Sequence, residues 1–217
     1  MGGPVVERGD WSLALVTPPA SEPVTLAKAK AHLRIDPSLV DDDDWVTDCI
    51  TGAREYLERA YDLKVMPQRW EMRLQNFPHD DRIRFPIGPV QAIPYFKYMD
   101  TGGNITSLTV GKGSGFDLLT RLQKKPAEIV LPFGRVWPAV ILQMADPIQI
   151  GLDLGYVTGA SPEVLPMPGQ VRQAMYLLID HYYNNRSAVT LGSLMRSDPL
   201  HLGVEYLMSA LGFTRYD

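Results

Sequence analysis

The sequence predicts an α+β fold in which a helical frame carries an inserted, antiparallel β-rich domain. The first observation is where helix-breaking residues lie: residues 66–169 hold twelve of the eighteen prolines and eleven of the eighteen glycines. Residues 25–61 hold one of each, and residues 170–198 hold a single glycine. Helix interiors exclude these residues, whereas turns and strand ends recruit them. The second observation is that apolar residues recur every three or four positions in the two flanking regions, as in helices. The third is that apolar and polar residues alternate with a period of two in the middle region, as in strands.

These boundaries divide the chain into four predicted parts. They are an N-terminal arm (1–22), a helical core (23–65 with 168–201), a β-rich insertion (66–167), and a C-terminal helix and tail (202–217). A chain of 217 residues can bury a sizeable core. No apolar run approaches the roughly 20 residues of a membrane helix, and the N-terminus lacks the pattern of a secretory signal. We therefore expect no membrane partner.

The first predicted helix spans residues 26–34, with Thr25 as its N-cap. Lys28 and Lys30 are expected to face solvent. Its inward face is formed by Leu26, Ala29 and Leu33. The Asp36-Pro37 dipeptide then interrupts the helix, because the residue before a proline avoids the helical region.

A longer amphipathic helix follows the four aspartates at 41–44. Its apolar stripe at steps of three and four is Val46, Cys49, Ile50, Ala53, Tyr56, Leu57 and Ala60. Acidic residues at a helix start oppose the positive end of the helix dipole, which is the simplest interpretation of the aspartates. A divalent cation site and a contact with a neighbouring subunit or basic partner remain as alternatives. Cys49, the single cysteine, is predicted to be a buried small hydrophobe.

The middle of the chain carries strand signals. Residues 70–77 alternate apolar and polar side chains, as a half-buried strand does. Further strands are predicted at 83–87, 94–99, 105–110, 128–131 and 148–154. A turn at 100–103 joins two of them as a hairpin. Antiparallel pairing is expected, since no helix of crossover length separates these runs.

Helical spacing returns from residue 170 and ends near Asn184. The stripe of this helix is Val171, Ala174, Met175, Leu178 and Tyr182. It is the expected partner of the 46–60 helix. The side chains at its end, including Tyr182, Tyr183 and Arg186, pack either on the β-rich segment or at a subunit interface, where tyrosine and arginine are enriched. A short last helix is predicted over 204–211, with a tail at 213–217.

The net charge of −4 conceals an asymmetry along the chain. Residues 36–62 hold nine acidic residues against two arginines, whereas residues 63–135 hold eleven Lys or Arg against six acidic residues. Such a split suits head-to-tail packing of copies as well as nucleic-acid binding. No basic run or basic–aromatic alternation marks a surface that reads DNA sequence.

Motifs for catalysis are absent from the sequence. There is no HExxH, CxxC, GxSxG or phosphate-binding loop, and the glycine-rich stretch 111–115 is predicted to be a loop tip. The four histidines are scattered without ligand spacing. We therefore predict no catalytic, cofactor-binding or metal-ligating residue, and no cofactor. Four aromatic residues suggest an alternative, stacking on a sugar: Trp70, Tyr95, Tyr98 and Trp137.

Seven stretches, in order, resemble a known family. They are residues 23–34, 53–58, 68–74 with 77–78, 84–86 with 89–90, 155–156, 168–186 and 202–208. Together they resemble the head–tail connector (adaptor) proteins of tailed phages, over about residues 15–211. Residues 112–140 are longer and less similar to the family, and residues 1–14 are unmatched.

The resemblance implies a structural protein of the virion neck rather than an enzyme, assembled in the host cytoplasm. Its copies would form a ring, expected to be twelvefold, below the portal protein. The ring would extend the channel for double-stranded DNA, without sequence-specific binding, and present a platform to stopper or tail-completion proteins. The C-terminal helix and tail would dock on the portal. The candidate residues for that contact are Leu202, Val204, Leu207, Met208, Leu211, Phe213 and Tyr216.

Between copies, the acidic 41–58 helix is expected to lie against the basic middle segment of the next copy. The candidate residues for subunit contacts are Asp41, Asp42, Asp43, Asp44, Tyr182, Tyr183 and Arg186. Two alternatives remain beside the connector: a stopper or tail-completion protein, and a small β-rich carbohydrate-binding module or hydrolase.

Overall fold

The structure, a computed structural model, describes residues 11–156, 166–186 and 199–213. They fall into two compact units. The β unit contains residues 11–20 and 67–156, and the helical unit contains residues 21–66, 166–186 and 199–213. The presence of both helices and antiparallel sheets confirms the predicted α+β class.

The β unit contains ten strands within the described residues. They are β1 (Trp11–Thr17), β2 (Gln68–Leu74), β3 (Arg82–Arg84), β4 (Val90–Ala92), β5 (Phe96–Met99), β6 (Ile105–Leu108), β7 (Val110–Gly111), β8 (Leu118–Arg121), β9 (Glu128–Val130) and β10 (Ile148–Leu154). The larger sheet has the order β1-β2-β10-β5-β6, with β4 also paired to β10, and the smaller has the order β3-β9-β8-β7. Every pairing in the larger sheet is antiparallel, as predicted. The short β7–β8 pairing is parallel, which the sequence did not indicate.

The alternation predicted around Trp70 is confirmed by the register of β2 against β10. Met72 lies opposite Ile150 and Leu74 opposite Ile148, and all four side chains are buried. Intervening residues such as Arg73 point to the other face of the sheet. The core of the unit is formed by Met72, Leu74, Ile83, Phe85, Val90, Phe96, Leu118, Ile129, Ile148, Ile150, Leu152 and Leu154.

Strand β1 was not predicted, because its residues were assigned to the N-terminal arm. It pairs with β2 along its length, from Trp11 opposite Leu74 to Thr17 opposite Arg69. Trp11 and Leu13 pack against the core of the unit. The apolar alternation of Trp11, Leu13 and Leu15 is the sequence signal for this strand.

The helical unit contains four helices within the described residues. They are α1 (Leu26–Leu33), α2 (Asp43–Ala60), α3 (Gly169–Asn184) and α4 (Pro199–Ser209). The Thr25 hydroxyl accepts a hydrogen bond from the Lys28 amide at 3.4 Å, so the predicted N-cap is confirmed. Helix α2 packs against α3, as predicted, and α3 also contacts α1 and α4. The buried residues of α2 and α3 are Val46, Cys49, Ile50, Ala53, Arg54, Leu57, Glu58, Val171, Ala174, Met175, Leu178 and Ile179.

Two charged residues of α2, Arg54 and Glu58, are buried although the sequence indicated only an apolar stripe. The Arg54 guanidinium donates to both carboxylate oxygens of Glu22, at 2.8 and 3.2 Å. Glu58 accepts from the Val65 amide at 3.0 Å and lies 3.5 Å from both Arg54 and the Lys64 ammonium group. Buried charges require partners, and those of Arg54 and Glu58 come from the segments before and after α2. The bonds therefore connect both segments to the helix.

Candidate functional site

The start of α2 meets the end of α3 at a polar cluster. The Asp42 carboxylate accepts hydrogen bonds from the Tyr183 hydroxyl at 2.7 Å and from the Arg186 guanidinium at 2.8 Å. The bond from Tyr183, followed by the bond from Arg186, lowers the pKa of Asp42, and the same Asp42 contact raises the pKa of Tyr183. Three residues predicted to contact another subunit therefore contact one another within one chain.

Aromatic rings surround the cation of this cluster. The Arg186 guanidinium lies 5.4 Å from the ring centre of Trp45 and 5.3 Å from that of Tyr183, both within cation–π range. The Trp45 indole N–H is buried, and the described residues supply it with no hydrogen-bond partner. Tyr, Trp and Arg are the residues that dominate protein interfaces.

Tyr182 was predicted to pack on the β-rich segment or at a subunit interface, and the structure places its ring on α2. A Cβ atom on Gly52 would lie 3.7 Å from Cε2 of Tyr182, which is ordinary van der Waals contact. Burial raises the pKa of the Tyr182 hydroxyl. The Tyr182 ring therefore packs on α2 beside Gly52, at a distance that would also accommodate a Cβ atom.

Lys30 was expected to face solvent, and this prediction is wrong because the residue is 4% exposed. Its ammonium group donates to Asp43 Oδ1 at 2.7 Å, to the Pro37 carbonyl at 3.3 Å and to the Leu39 carbonyl. Position 30 lies four residues after Leu26, within the inward-facing stripe, so the helical spacing contained the signal. Asp43 is therefore occupied by a partner in its own chain.

Lys30 shapes the connection between α1 and α2 together with the first two residues of α2; we call these residues, 36–44, the tip. Asp36 accepts from the Ser38 amide and hydroxyl, at 2.8 and 2.7 Å, and the Asp43 amide donates to the Val40 carbonyl at 3.1 Å. These bonds hold Leu39 and Val40 in solvent, 57% and 66% exposed. Asp41 and Asp44 beside them are also exposed.

A second exposed apolar surface lies in the β unit on residues 132–144, which we call the apolar loop. Phe133, Val136, Ile141 and Met144 are each at least 80% exposed. Exposed apolar residues scattered singly are ordinary, but four within twelve positions make this loop a candidate binding surface. The only charged side chain in the apolar loop is that of Arg135, which is exposed.

The apolar loop is anchored at its middle by Trp137. Its indole N–H donates to the Asp80 carbonyl at 2.8 Å, and its ring stacks on Phe77 at 5.3 Å and on Phe96 at 6.3 Å between ring centres. The Thr101 amide donates to the Ile141 carbonyl at 3.2 Å. The exposed side chains therefore stand on a backbone fixed by packing and hydrogen bonds.

The basic middle segment is partly neutralised by its own carboxylate. Glu128, fully buried, accepts hydrogen bonds from Lys124 at 2.8 Å and Arg121 at 3.4 Å, and lies 3.7 Å from Arg84. Burial opposes the charge of Glu128, but the bond and charge of Lys124 outweigh it and lower its pKa. Three of the basic side chains in this segment therefore neutralise a buried carboxylate of their own chain.

The aromatic residues considered for sugar stacking have partners in the β unit. Tyr98 is buried, and Trp137 is stacked as described above. The Tyr95 hydroxyl donates to Glu71 at 2.7 Å, while burial, followed by Glu71, raises the pKa of Tyr95 to about 12. The Trp70 N–H donates to Gln68 at 2.8 Å. These contacts favour the structural interpretation of the four residues.

The candidate portal-docking residues divide into two groups. Val204 and Met208 are buried in the helical unit, so their side chains pack within their own chain. Leu207, Leu211 and Phe213 are half-buried. The side chains of Leu202 and Tyr216 lie outside the described residues. On the same helix Tyr206, which the sequence did not single out, is 76% exposed.

Ligand geometry for a metal ion does not occur among the described residues, where no three His, Cys, Asp or Glu side chains are grouped suitably. Cys49 is buried, as predicted, and burial, followed by the charge of Asp48, raises the pKa of its thiol. None of the helices in the described part of the chain has the length and apolar character required to cross a membrane.

Comparison with known proteins places α1, the tip and α2 in a recognised family pattern. Residues 23–95 match the model of the family described as phage gp6-like head-tail connector protein. The predicted resemblance to head–tail connector proteins is confirmed. No curated protein matches the chain significantly.

The fold resembles that of chains in solved gene transfer agent (GTA) particles. A chain in the neck of an empty GTA particle, computed with C6 symmetry, aligns with a TM-score of 0.66 and 21% identity, covering 92% of this chain and 94% of that chain. A chain in the virion of a native GTA particle aligns with a TM-score of 0.67 and 19% identity, covering 90% of this chain and 94% of that chain. A third chain, in the neck of a native GTA particle computed with C12 symmetry, aligns with a TM-score of 0.58 and 20% identity, covering 90% of this chain and 94% of that chain. At these identities the likeness establishes a shared fold.

The family match places the Lys30 contacts and the tip in the region similar to head–tail connectors. The apolar loop lies beyond that match, within the 112–140 region and just after it, where the sequence was less similar to the family. The buried Lys30 and the apolar loop are two features for which sequence reasoning made a wrong prediction or none, and the exposed Tyr206 was also not singled out.

Proposed function

We propose that this chain is a structural virion protein, a head–tail connector whose copies form a ring below the portal protein. The observation that carries the proposal is the family match over residues 23–95, which contains the tip and all of α2. The fold shared with chains of GTA particles over at least 90% of this chain supports it independently.

The surfaces of the two units suit an assembly component. The tip and the apolar loop both present large apolar side chains on backbones held by hydrogen bonds, so little conformational entropy is lost when a partner binds. We infer that each copy uses such surfaces to join its neighbours in a ring, with twelve copies as the expected number. DNA passes through the ring without sequence-specific contacts, and its passage favours a neutral or acidic lumen.

Docking on the portal is assigned to α4 and the tail that follows it. Because Val204 and Met208 fix α4 to its own unit, the exposed Tyr206 and the half-buried Leu207, Leu211 and Phe213 are the side chains left to meet the portal. Leu202 and Tyr216 remain part of this proposal. The opposite rim of the ring receives the stopper or tail-completion protein.

The experiment mixes the purified chain with the portal protein of its own virus and measures native mass and negative-stain images. A ring, or a monomer that joins a ring only when the portal is present, supports the connector. A stable monomer that ignores the portal overturns it. A monomer that binds only preformed portal–connector rings identifies the alternative, a stopper or tail-completion protein.

A matched pair of variants tests the portal contact. Tyr206→Asp places a charge on the exposed side of α4 and is expected to abolish portal binding without unfolding the unit. Gln173→Asp adds the same charge at an exposed position of α3 and is the control. Equal portal binding by both variants would assign docking to another surface.

A further inference from the structure

We propose that the tip of one copy docks on the apolar loop of the neighbouring copy, and that this contact closes the ring. The inference rests on the proposed ring function. It assigns a partner to both surfaces: Leu39 and Val40 pack among Phe133, Val136, Ile141 and Met144, while Arg135 faces the aspartates of the tip.

The symmetry of a ring requires two different surfaces on each copy. Cyclic assemblies use heterologous contacts, in which one patch of a subunit meets a different patch of the next. The tip and the apolar loop are two such patches, and each joins exposed apolar side chains to charge of a single sign. The signs are opposite, so the two patches complement each other.

The internal contacts of the tip show which aspartates are available to a neighbour. Asp42 is bonded to Tyr183 and Arg186, and Asp43 to Lys30. Asp41 and Asp44 are exposed, and the described residues give them no ion-pair partner. The four aspartates thus divide into two that build the tip and two that face outwards.

Both surfaces are formed before they meet. Lys30 fixes the carbonyl groups of Pro37 and Leu39, and Trp137 fixes the centre of the apolar loop. Preformed surfaces bind without the entropic cost of ordering a flexible segment. A single cation among four apolar groups does not suit DNA, which is held by many Lys and Arg side chains, so a protein neighbour is the fitting occupant.

Charge reversal tests the pairing. At low salt, Arg135→Glu and Asp41→Arg are each expected to raise the concentration needed for ring assembly by about tenfold, because each creates a like-charge contact. The two substitutions in one chain are expected to restore assembly. Asp180→Arg, an exposed position on α3, makes the same charge change as Asp41→Arg and is expected to leave assembly unchanged.

Disulfide trapping tests the contact directly. Val40→Cys and Ile141→Cys chains, mixed and oxidised, are expected to give a covalent heterodimer that neither chain gives alone. The native Cys49 is buried and stays unreactive. Leu15→Cys, exposed on β1, replaces Val40→Cys in the control mixture and is expected not to cross-link.

The outcomes separate this inference from the proposed function. The inference is overturned if the wild type and both charge-reversed chains form rings equally well. It is also overturned if Val40→Cys and Ile141→Cys chains do not cross-link. Neither result contradicts the proposed connector function. Rings that form normally from an Arg135→Glu chain but lose the stopper assign the apolar loop to another protein, which also overturns it. A wild-type chain that forms no ring with or without the portal overturns the connector itself.

Discussion

The Lys30 ammonium group lies 2.7 Å from the Asp43 carboxylate and is buried beneath the tip. The same group satisfies two backbone carbonyls of the α1–α2 connection. A lysine is seldom buried unless it is paired, and here the pairing fixes the path of the chain that leads into α2. The exposed Leu39 and Val40 therefore owe their position to a buried charge.

Replacing Lys30 by methionine is expected to lower the free energy of unfolding of the helical unit by about 1–3 kcal/mol, since it leaves Asp43 and two carbonyls without their donor. Lys28→Met, on the exposed side of the same helix, is the control and is expected to change the stability by less than about 0.5 kcal/mol. Urea denaturation followed by circular dichroism measures both. Equal stability of the two variants would contradict the role given to Lys30.

The Asp42 cluster predicts a pH dependence of stability. Tyr183 and Arg186 hold the pKa of Asp42 below its usual value of 3.8. A carboxyl whose pKa is depressed by folding stabilises the folded state above its usual pKa, and this contribution is lost as the pH falls through the folded value. The melting temperature of the wild type is therefore expected to fall more steeply below pH 4 than that of Asp42→Asn. Asp41→Asn, lacking these partners, is expected to keep the wild-type slope.

Gly151 leaves space for the Tyr95 ring across the larger sheet. A Cβ atom at this position would lie 2.6 Å from Cε1 of Tyr95, which is too close for any side chain. Gly151→Ala is expected to displace the ring, break its bond to Glu71 and lower the free energy of unfolding by about 1–3 kcal/mol. In the Tyr95→Ala background the same substitution is expected to cost much less. Additive costs in this double-mutant cycle would refute the steric explanation.

The sequence predicted the elements whose signals are local. The apolar stripes of α2 and α3 follow helical spacing, so both helices and the packing of one on the other were predicted. Strand β10 was predicted from its alternation with a period of two. Strand β1 is as long as β2 and β10, and it was missed because its residues were assigned to the N-terminal arm, far in the sequence from its partner β2. The parallel β7–β8 pair spans two residues on each strand, too few for a pattern.

The contacts of the candidate site depend on residues far apart in the sequence. Asp42 and Tyr183 are separated by 141 positions, and Arg54 lies 32 positions from Glu22. Composition and spacing identified Asp42, Tyr183 and Arg186 as candidates but could not show that they bind one another. Lys30 was predicted to face solvent because it is charged, although its position four residues after Leu26 puts it on the inward face of α1.

The anchoring of the apolar loop by Trp137 gives a final prediction. Trp137→Ala removes the stacking on Phe77 and the bond to Asp80, and is expected to lower the free energy of unfolding of the β unit by about 2–4 kcal/mol. Hydrogen exchange at the Thr101 amide, which donates to the Ile141 carbonyl, is expected to accelerate, because the loop backbone loses its fixed position.

Two further variants separate the ring of Trp137 from its hydrogen bond. Trp137→Phe keeps an aromatic ring for stacking and loses only the N–H donor, so we expect a cost of about 1 kcal/mol and slow exchange at Thr101. Val136→Ala, a neighbouring exposed position, is expected to change neither stability nor exchange. Hydrogen–deuterium exchange with mass spectrometry measures the series. Slow exchange at Thr101 in Trp137→Ala would show that the Asp100–Leu142 bridge holds the loop without the tryptophan. The second hydrogen bond of that bridge runs from the Gln143 amide to the Met99 carbonyl at 3.1 Å.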